Sequence, residues 1–224
     1  MKTLTKELQE SITPSMALDL LREGNKRFVN NLKVNRNLLQ QANETSDGQH
    51  PFAVILSCID SRTSAELIFD QGLGDIFSIR IAGNVLNEDI LGSMEFGCKV
   101  AGARIIVVLG HTKCGAIKGA CDHVEMGNLT VLLTKIRPAV DDEVETKENR
   151  TSSNPEFVEN VATINVKRTV QGIMERSSIL KEMIMSGQIG IVGGTHDIAT
   201  GEVVFYPETM NFKYSDAQLA ESIA

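Results

Sequence analysis

Two short apolar runs constrain this chain more than anything else in it. Residues 52–56 read Phe-Ala-Val-Ile-Leu and residues 105–109 read Ile-Ile-Val-Val-Leu, with no polar side chain in either. A strand with one face in water alternates apolar and polar residues. An unbroken run needs cover on both faces, as strands have in parallel sheets packed between helices. Helix-like stretches follow each run, and that alternation predicts an α/β fold with a mostly parallel central sheet flanked by helices. The 224 residues suffice for one such core. No apolar run approaches the ~18 residues of a membrane span.

The remaining elements fall around those runs. Residues 16–31 carry Leu18, Leu21 and Phe28 near helical period, with Ser15 as the expected N-cap. This helix precedes the sheet, either as an arm for a partner or packed on its own domain. Residues 31–50 are polar and read as loop or broken helix. A short helix is expected at 63–69, a strand at 75–81, a helix at 87–100, a strand at 104–109 and a helix at 113–123. The stretch 138–155, with DDEVETKENRTSSN inside it, reads as a solvated loop. A long helical stretch at 157–185 is interrupted near Ser177-Ser178. A last core strand is expected at 188–192, a turn at Gly193-Gly194-Thr195, and an edge strand at 202–206. The organisation expected is one α/β domain: a helical arm at 1–50, a core at 51–206 and a tail at 207–224.

Each apolar run delivers chemistry at its C-terminal end. The first is followed by Cys58-Ile59-Asp60-Ser61-Arg62, the second by His111-Thr112-Lys113-Cys114-Gly115. In open α/β sheets ligands sit beyond the carboxyl ends of the strands. A buried cysteine alone is often only a small hydrophobe, and a lone His-x-x-Cys is weak. Two thiols and an imidazole at two strand ends, with an acid and an arginine beside the first, are a ligand set for zinc. Structural zinc sites close with four protein ligands, whereas catalytic ones keep three and leave a position for water. Here Cys58, His111 and Cys114 are the three, and the fourth position is open or taken by Asp60. Two thiolates and a neutral imidazole cancel the zinc charge, so a bound water would need local help to ionise near neutral pH. Asp60 can orient that water, and Arg62 can hold Asp60 ionised and aimed through a bidentate pair. The bland alternative for Arg62 is a surface ion pair. Gly115 opens the following helix, where its N–H would suit an anion.

The pairing of Cys-x-Asp-x-Arg with Gly-His-x-x-Cys-Gly some fifty residues later, with Ala82-Gly83-Asn84 between, resembles the β-class carbonic anhydrases. The likeness runs over about residues 17–204. It implies a zinc enzyme for the reversible hydration of CO2 to bicarbonate, assembled as a dimer or tetramer with N-terminal helices lying across a partner subunit. It also implies substrate-pocket positions. Gln49 lies where plant-type enzymes carry a substrate-binding glutamine, and Phe77 matches an apolar pocket position. Phe96 stands where that subgroup has tyrosine, which removes one hydroxyl from the pocket. Gln49 and Phe77 favour the form in which Asp60 pairs with Arg62 and leaves zinc open to water, provided Arg62 is buried.

Other classes fit less. A net charge of −7 argues against nucleic acid. The polar, acid-bearing N-terminus is neither a secretory signal nor a transit peptide, so the expected location is cytoplasmic, with reduced thiols. A zinc hydrolase of CS2 or COS would use the same ligands. A structural zinc or thiol-redox protein would leave Gln49 and the Asp60–Arg62 pair unexplained. Cys98 and Cys121 read as core. His50, His123 and His196 read as solvated or satisfied histidines rather than proton shuttles.

Overall fold

A computed structural model describes residues 3–212. Five strands form one sheet: β1 (Ala53–Ser57), β2 (Ile76–Arg80), β3 (Ile105–His111), β4 (Gly190–His196) and β5 (Val203–Phe205). Their order is β2-β1-β3-β4-β5, with the first three pairings parallel and β5 antiparallel. The chain winds outward from β1 to β2, then crosses back to β3 on the other side. The switch point therefore lies between β1 and β3, where the carboxyl ends of two neighbouring strands diverge and leave a crevice.

Both faces of the sheet are covered, which is why the two apolar runs are unbroken. Val54, Leu56, Ile106 and Val108 pack beneath α5 (Glu88–Glu95), α9 (Pro155–Arg176) and α10 (Ser178–Met185). The alternating neighbours Ala53, Ile55, Ile105, Val107 and Leu109 face the other way, against α2 (Pro14–Val29) and α4 (Ala65–Ile68). The remaining helices are α1 (Lys6–Ser11), α3 (Leu38–Glu44), α6 (Gly115–Cys121), α7 (Gly127–Thr134) and α8 (Arg137–Asp142). A third apolar cluster joins α6, α8 and the start of α9 to Cys58 and Cys114.

Several expectations change. The helix at 16–31 starts earlier, at Pro14: Thr13 is the N-cap, its side chain accepting from the Met16 N–H, with Pro14 in the first turn. The face carrying Ala17, Leu18 and Leu21 is buried against the chain's own sheet. The apolar stripe is thus accounted for without a partner subunit. The expected turn at Gly193-Gly194-Thr195 is strand, because glycine there serves close packing: a Cβ on Gly193 would lie 2.7 Å from Val166 Cγ1, and one on Gly194 2.7 Å from the Val204 carbonyl. The polar stretch 138–155 is not simply solvated loop. It contains most of α8, then buries Glu143, which accepts from the Thr146 N–H and from Arg150 Nη1. The helix at 87–100 continues past Glu95 as one π-helical stretch, Phe96–Val100. The part of the expected C-terminal tail beyond residue 212 lies outside the described residues.

Candidate metal centre

The three expected ligands converge at the switch point. β1 ends at Ser57, so Cys58 is the first residue beyond it; His111 is the last residue of β3; Cys114 is the N-cap of α6. All three are buried, and their ligand atoms lie within 4.8 Å of one another. Cys58 Sγ and Cys114 Sγ are 4.0 Å apart. The Cys114 thiol that hydrogen-bonds Cys58 draws the Cys58 pKa well down against burial, with the Gly83 N–H adding to it. The same contact, together with burial, pushes Cys114 up.

The imidazole tests whether a metal fits. His111 Nδ1 lies 3.0 Å from the Thr112 carbonyl, which accepts only, so Nδ1 carries the proton and Nε2 keeps its lone pair. Nε2 is buried and has no hydrogen-bond partner. A buried nitrogen lone pair left over beside two thiols would be costly if nothing bound it. The donor set, two sulfurs and one nitrogen, suits zinc.

Asp60 is not in this cluster. Its Oδ1 accepts from the Arg62 backbone N–H at 3.0 Å and from Nε at 2.9 Å, and its Oδ2 from Nη2 at 2.7 Å. Those hydrogen bonds hold the Asp60 carboxyl well below the usual carboxylate range. The guanidinium side of the pair is 54% exposed. Asp60 and Arg62 are paired, but the condition attached to that pairing, a buried Arg62, is not met: water surrounds half of that side chain, so hydrogen-bond geometry rather than desolvation holds the pair.

The expected pocket residues do not gather here. Gln49 is exposed in the loop before β1. Phe77 pairs in register with Val54, four residues before Cys58, so about 13 Å of strand lies between them. Phe77 and Phe96 meet edge to face, ring centroids 6.2 Å apart, and line a surface groove of about 640 Å³ with Ile79, Glu88 and Asp89. Gly115 is the first residue of α6, and a Cβ there would meet nothing within 4 Å. Cys98 and Cys121 are buried, pushed up to about 12 and about 11 by burial first. His196 is the correction among the histidines. It is 3% exposed, opposite His111 in the β3–β4 register, with neither ring nitrogen hydrogen-bonded; burial, then His111, pushes its pKa down to about 4.

Residues not singled out from sequence hold the ligand loops. Arg80 Nε donates to the Cys58 carbonyl at 3.0 Å and Nη2 to the Asp60 carbonyl at 2.6 Å. Thr63 Oγ1 donates to the same two carbonyls. Arg80 is the register partner of Ser57, so aligning the ends of the two strands would have pointed to it.

Fold and side chains together define a mostly parallel α/β protein with a Cys2His cluster fit to hold a metal at its topological switch point. The sequence profile described as carbonic anhydrase matches residues 53–203. Carbonic anhydrase 2 of Mycobacterium tuberculosis is 36% identical over 203 residues, spanning 85% of this chain and 92% of that protein. Among solved structures, the β-carbonic anhydrase CafA of Aspergillus fumigatus superposes with a TM-score of 0.66 at 23% identity, covering 93% of this chain and 96% of that one. One of two tetrameric β-carbonic anhydrases of Sordaria macrospora gives 0.65 at 23%, covering 72% and 83%. The chain belongs to the β-class carbonic anhydrase family.

Proposed function

We propose that the chain catalyses the reversible hydration of carbon dioxide to bicarbonate and a proton, with zinc held by Cys58, His111 and Cys114. The observation that carries this reading is the unpartnered Nε2 of His111, buried between two thiols and adjoining a loop whose carboxylate is already aimed by an arginine. Both cysteines would bind as thiolates and His111 through Nε2. Zinc held there supplies a Lewis acid that brings water ionisation toward neutral pH.

The protein's own part is orientation. Asp60 accepts a hydrogen bond from the attacking water and so turns a lone pair toward the substrate carbon. Arg62 keeps that carboxylate ionised and fixed. Arg80 and Thr63 hold the carbonyls of Cys58 and Asp60, which keeps ligand and acceptor in one rigid turn. Gly115 offers a backbone N–H on the far side of Cys114 as the candidate bicarbonate contact. Gln49, Phe77 and Phe96 enter the reading through self-association. The groove of Phe77 and Phe96 is too far from its own ligands, and a second copy is what would bring it to a site. The Sordaria macrospora enzymes are described as tetrameric, and we read this chain as a dimer or tetramer.

Among the described residues no helix is long and apolar enough to cross a membrane. All four cysteines are unpaired, which supports a reducing, cytoplasmic setting. The test is CO2 hydration by stopped flow alongside elemental analysis. Wild type is expected to turn over with about one zinc per chain. Cys58→Ser, His111→Ala and Cys114→Ser are each expected to lose both zinc and activity. Two of the three keeping full zinc would refute the ligand assignment.

A further inference from the structure

Helix α9 lies behind the site and contributes none of the three ligands, yet one of its buried polar side chains ends on the metal centre. Asn165 is 4% exposed in the middle of α9. Asparagine is a poor residue for a helix interior, and a buried amide needs partners. Its Nδ2 donates to the Gly83 carbonyl at 2.9 Å. That carbonyl can only accept, so the amide nitrogen is the atom facing it. On the other side of the same Cα, the Gly83 N–H donates to Cys58 Sγ at 3.4 Å.

Gly83 is a constrained link. Its φ of +65° is left-handed, and a Cβ there would lie 2.6 Å from Ile136 Cδ1. With φ unusual and no side chain to pack, what orients its peptides is their hydrogen bonds. Thr169, one turn along α9, reaches the next carbonyl, that of Asn84, at 3.4 Å. The height of α9 over the sheet is also set close to the site. Val166 sits in a slot left by two glycines: a Cβ on Gly110 or on Gly193 would come within 2.7 Å of it. Gly110 directly precedes His111. The contact that seats α9 on the sheet therefore adjoins one ligand, and Asn165, next to Val166, reaches toward another.

We propose that Asn165 is a positioning residue for the zinc thiolate of Cys58, acting through Gly83 by fixing the N–H that donates to the sulfur. Groups outside the ligand set that orient ligands change metal affinity by about 10–100-fold when removed. A sulfur that loses an N–H donor is also more electron-rich, which lowers the energy of its charge transfer to a bound metal. The proposal rests on the zinc site as read above.

The test uses full-length Asn165→Leu, which keeps the size and removes the donor, with Val170→Ala as the comparison. Val170 is a core residue of the same helix and touches neither Gly83 nor a ligand loop in any hydrogen bond. Expected for Asn165→Leu is zinc release to a chromogenic chelator about tenfold faster than wild type. In the cobalt-substituted protein the thiolate-to-cobalt band is expected to move to longer wavelength. Val170→Ala, destabilised as judged by Tm, is expected to keep the wild-type release rate and band. If Asn165→Leu does not fold, Asn165→Ala takes its place in both measurements. Wild-type release and an unmoved band in the Asn165 variant overturn the proposal, as does an equal change in Val170→Ala. A wild-type chain that takes up no zinc sinks the site reading and this inference with it. A wild type that holds zinc no more firmly than the variant sinks the inference alone.

Discussion

Replacing Asp60 with asparagine separates the two things a carboxylate beside this site could do. An ionised carboxylate offers about four lone-pair directions. Oδ1 uses two, on the Arg62 backbone N–H and Nε, and Oδ2 uses one, on Nη2. One direction on Oδ2 is left to accept from a water. In Asp60→Asn the amide oxygen can stay in the Oδ1 position, but the amide nitrogen then points its hydrogens at Nη2 and offers the water a donor in place of an acceptor. Flipping the amide restores an acceptor at Oδ2 and sets the nitrogen against both the Arg62 N–H and Nε. Neither rotamer keeps all four interactions. The expected loss is about 10²–10⁴-fold in kcat, the usual worth of a positioned proton acceptor. The interaction is made with the reacting water, so kcat and kcat/KM should fall together. Zinc content should stay near one per chain, since Asp60 lies outside the three-ligand cluster. Arg62→Ala should lose less, about tenfold, because residue 62 keeps the backbone N–H that holds Oδ1. Stopped-flow hydration with metal analysis of the same samples decides it. An Asp60→Asn enzyme within threefold of wild type, zinc intact, refutes the orienting role; loss of zinc along with activity shows that Asp60 is a ligand.

Asp70 is buried, its side chain 3% exposed, and pairs with Arg27 at 2.5 Å and with Arg36, 7% exposed, at 2.5 Å. Asp70→Asn should cost about 3 kcal/mol, the effect of leaving a buried charge unmatched, read by urea unfolding; a loss below about 1 kcal/mol would contradict it. Burial raises the Asp70 pKa, but the hydrogen bonds of Arg27 and Arg36 outweigh it and the net shift is downward. A depressed folded pKa contributes stability above the unfolded value of about 3.9, so the gap between wild type and variant should hold at neutral pH and close as pH falls below about 4. Gly110→Ala should destabilise by about 1–3 kcal/mol, because the methyl would stand 2.7 Å from Val166 Cγ2. Adding Val166→Ala should cost less than the two single changes summed; strict additivity would refute the close contact. Sedimentation at micromolar concentration should show a dimer or a multiple of it, and a sole 24.4 kDa species would refute self-association.

The sheet was legible because apolar runs have one meaning when no polar residue interrupts them. β1 and β3 came within one or two residues of expectation, and the break between α9 and α10 fell at Ser177, which caps α10. What misled was chemistry that reads the same locally and differs in context. Gly193-Gly194 has the composition of a turn, but Val166 and the β5 backbone occupy the space a side chain would need, and a strand can satisfy that as well as a turn. Glu143 sits in an acidic run, and nothing local shows that Thr146 and Arg150 fold back to neutralise it. The candidate ligands were legible for a different reason, and the structure brings all three together. Metal chemistry restricts residue type, and strand ends restrict place. The pocket residues Gln49, Phe77 and Phe96 rest on likeness to a family alone, and one chain does not assemble them.

The site also shows where the chain stores conformational strain. Gly83, Asn84 and Lys113 all have positive φ. Gly83 and Asn84 follow β2 beside Cys58, and Lys113 lies between His111 and Cys114. For a non-glycine residue that conformation costs about 1–2 kcal/mol. Each of these positions is matched by a hydrogen bond from the same helix: the Lys113 N–H donates to Glu159 at 2.8 Å, the Gly83 carbonyl accepts from Asn165, and the Asn84 carbonyl from Thr169. Glu159, Asn165 and Thr169 span α9 from its second turn past its midpoint. Three residues reverse the chain between strand and helix there, and Lys113 among them takes the left-handed conformation. The left-handed positions thus lie beside the candidate ligands, and α9 supplies hydrogen bonds to each of them. A helix that supplies none of the three candidate ligands thus holds the turns that carry them.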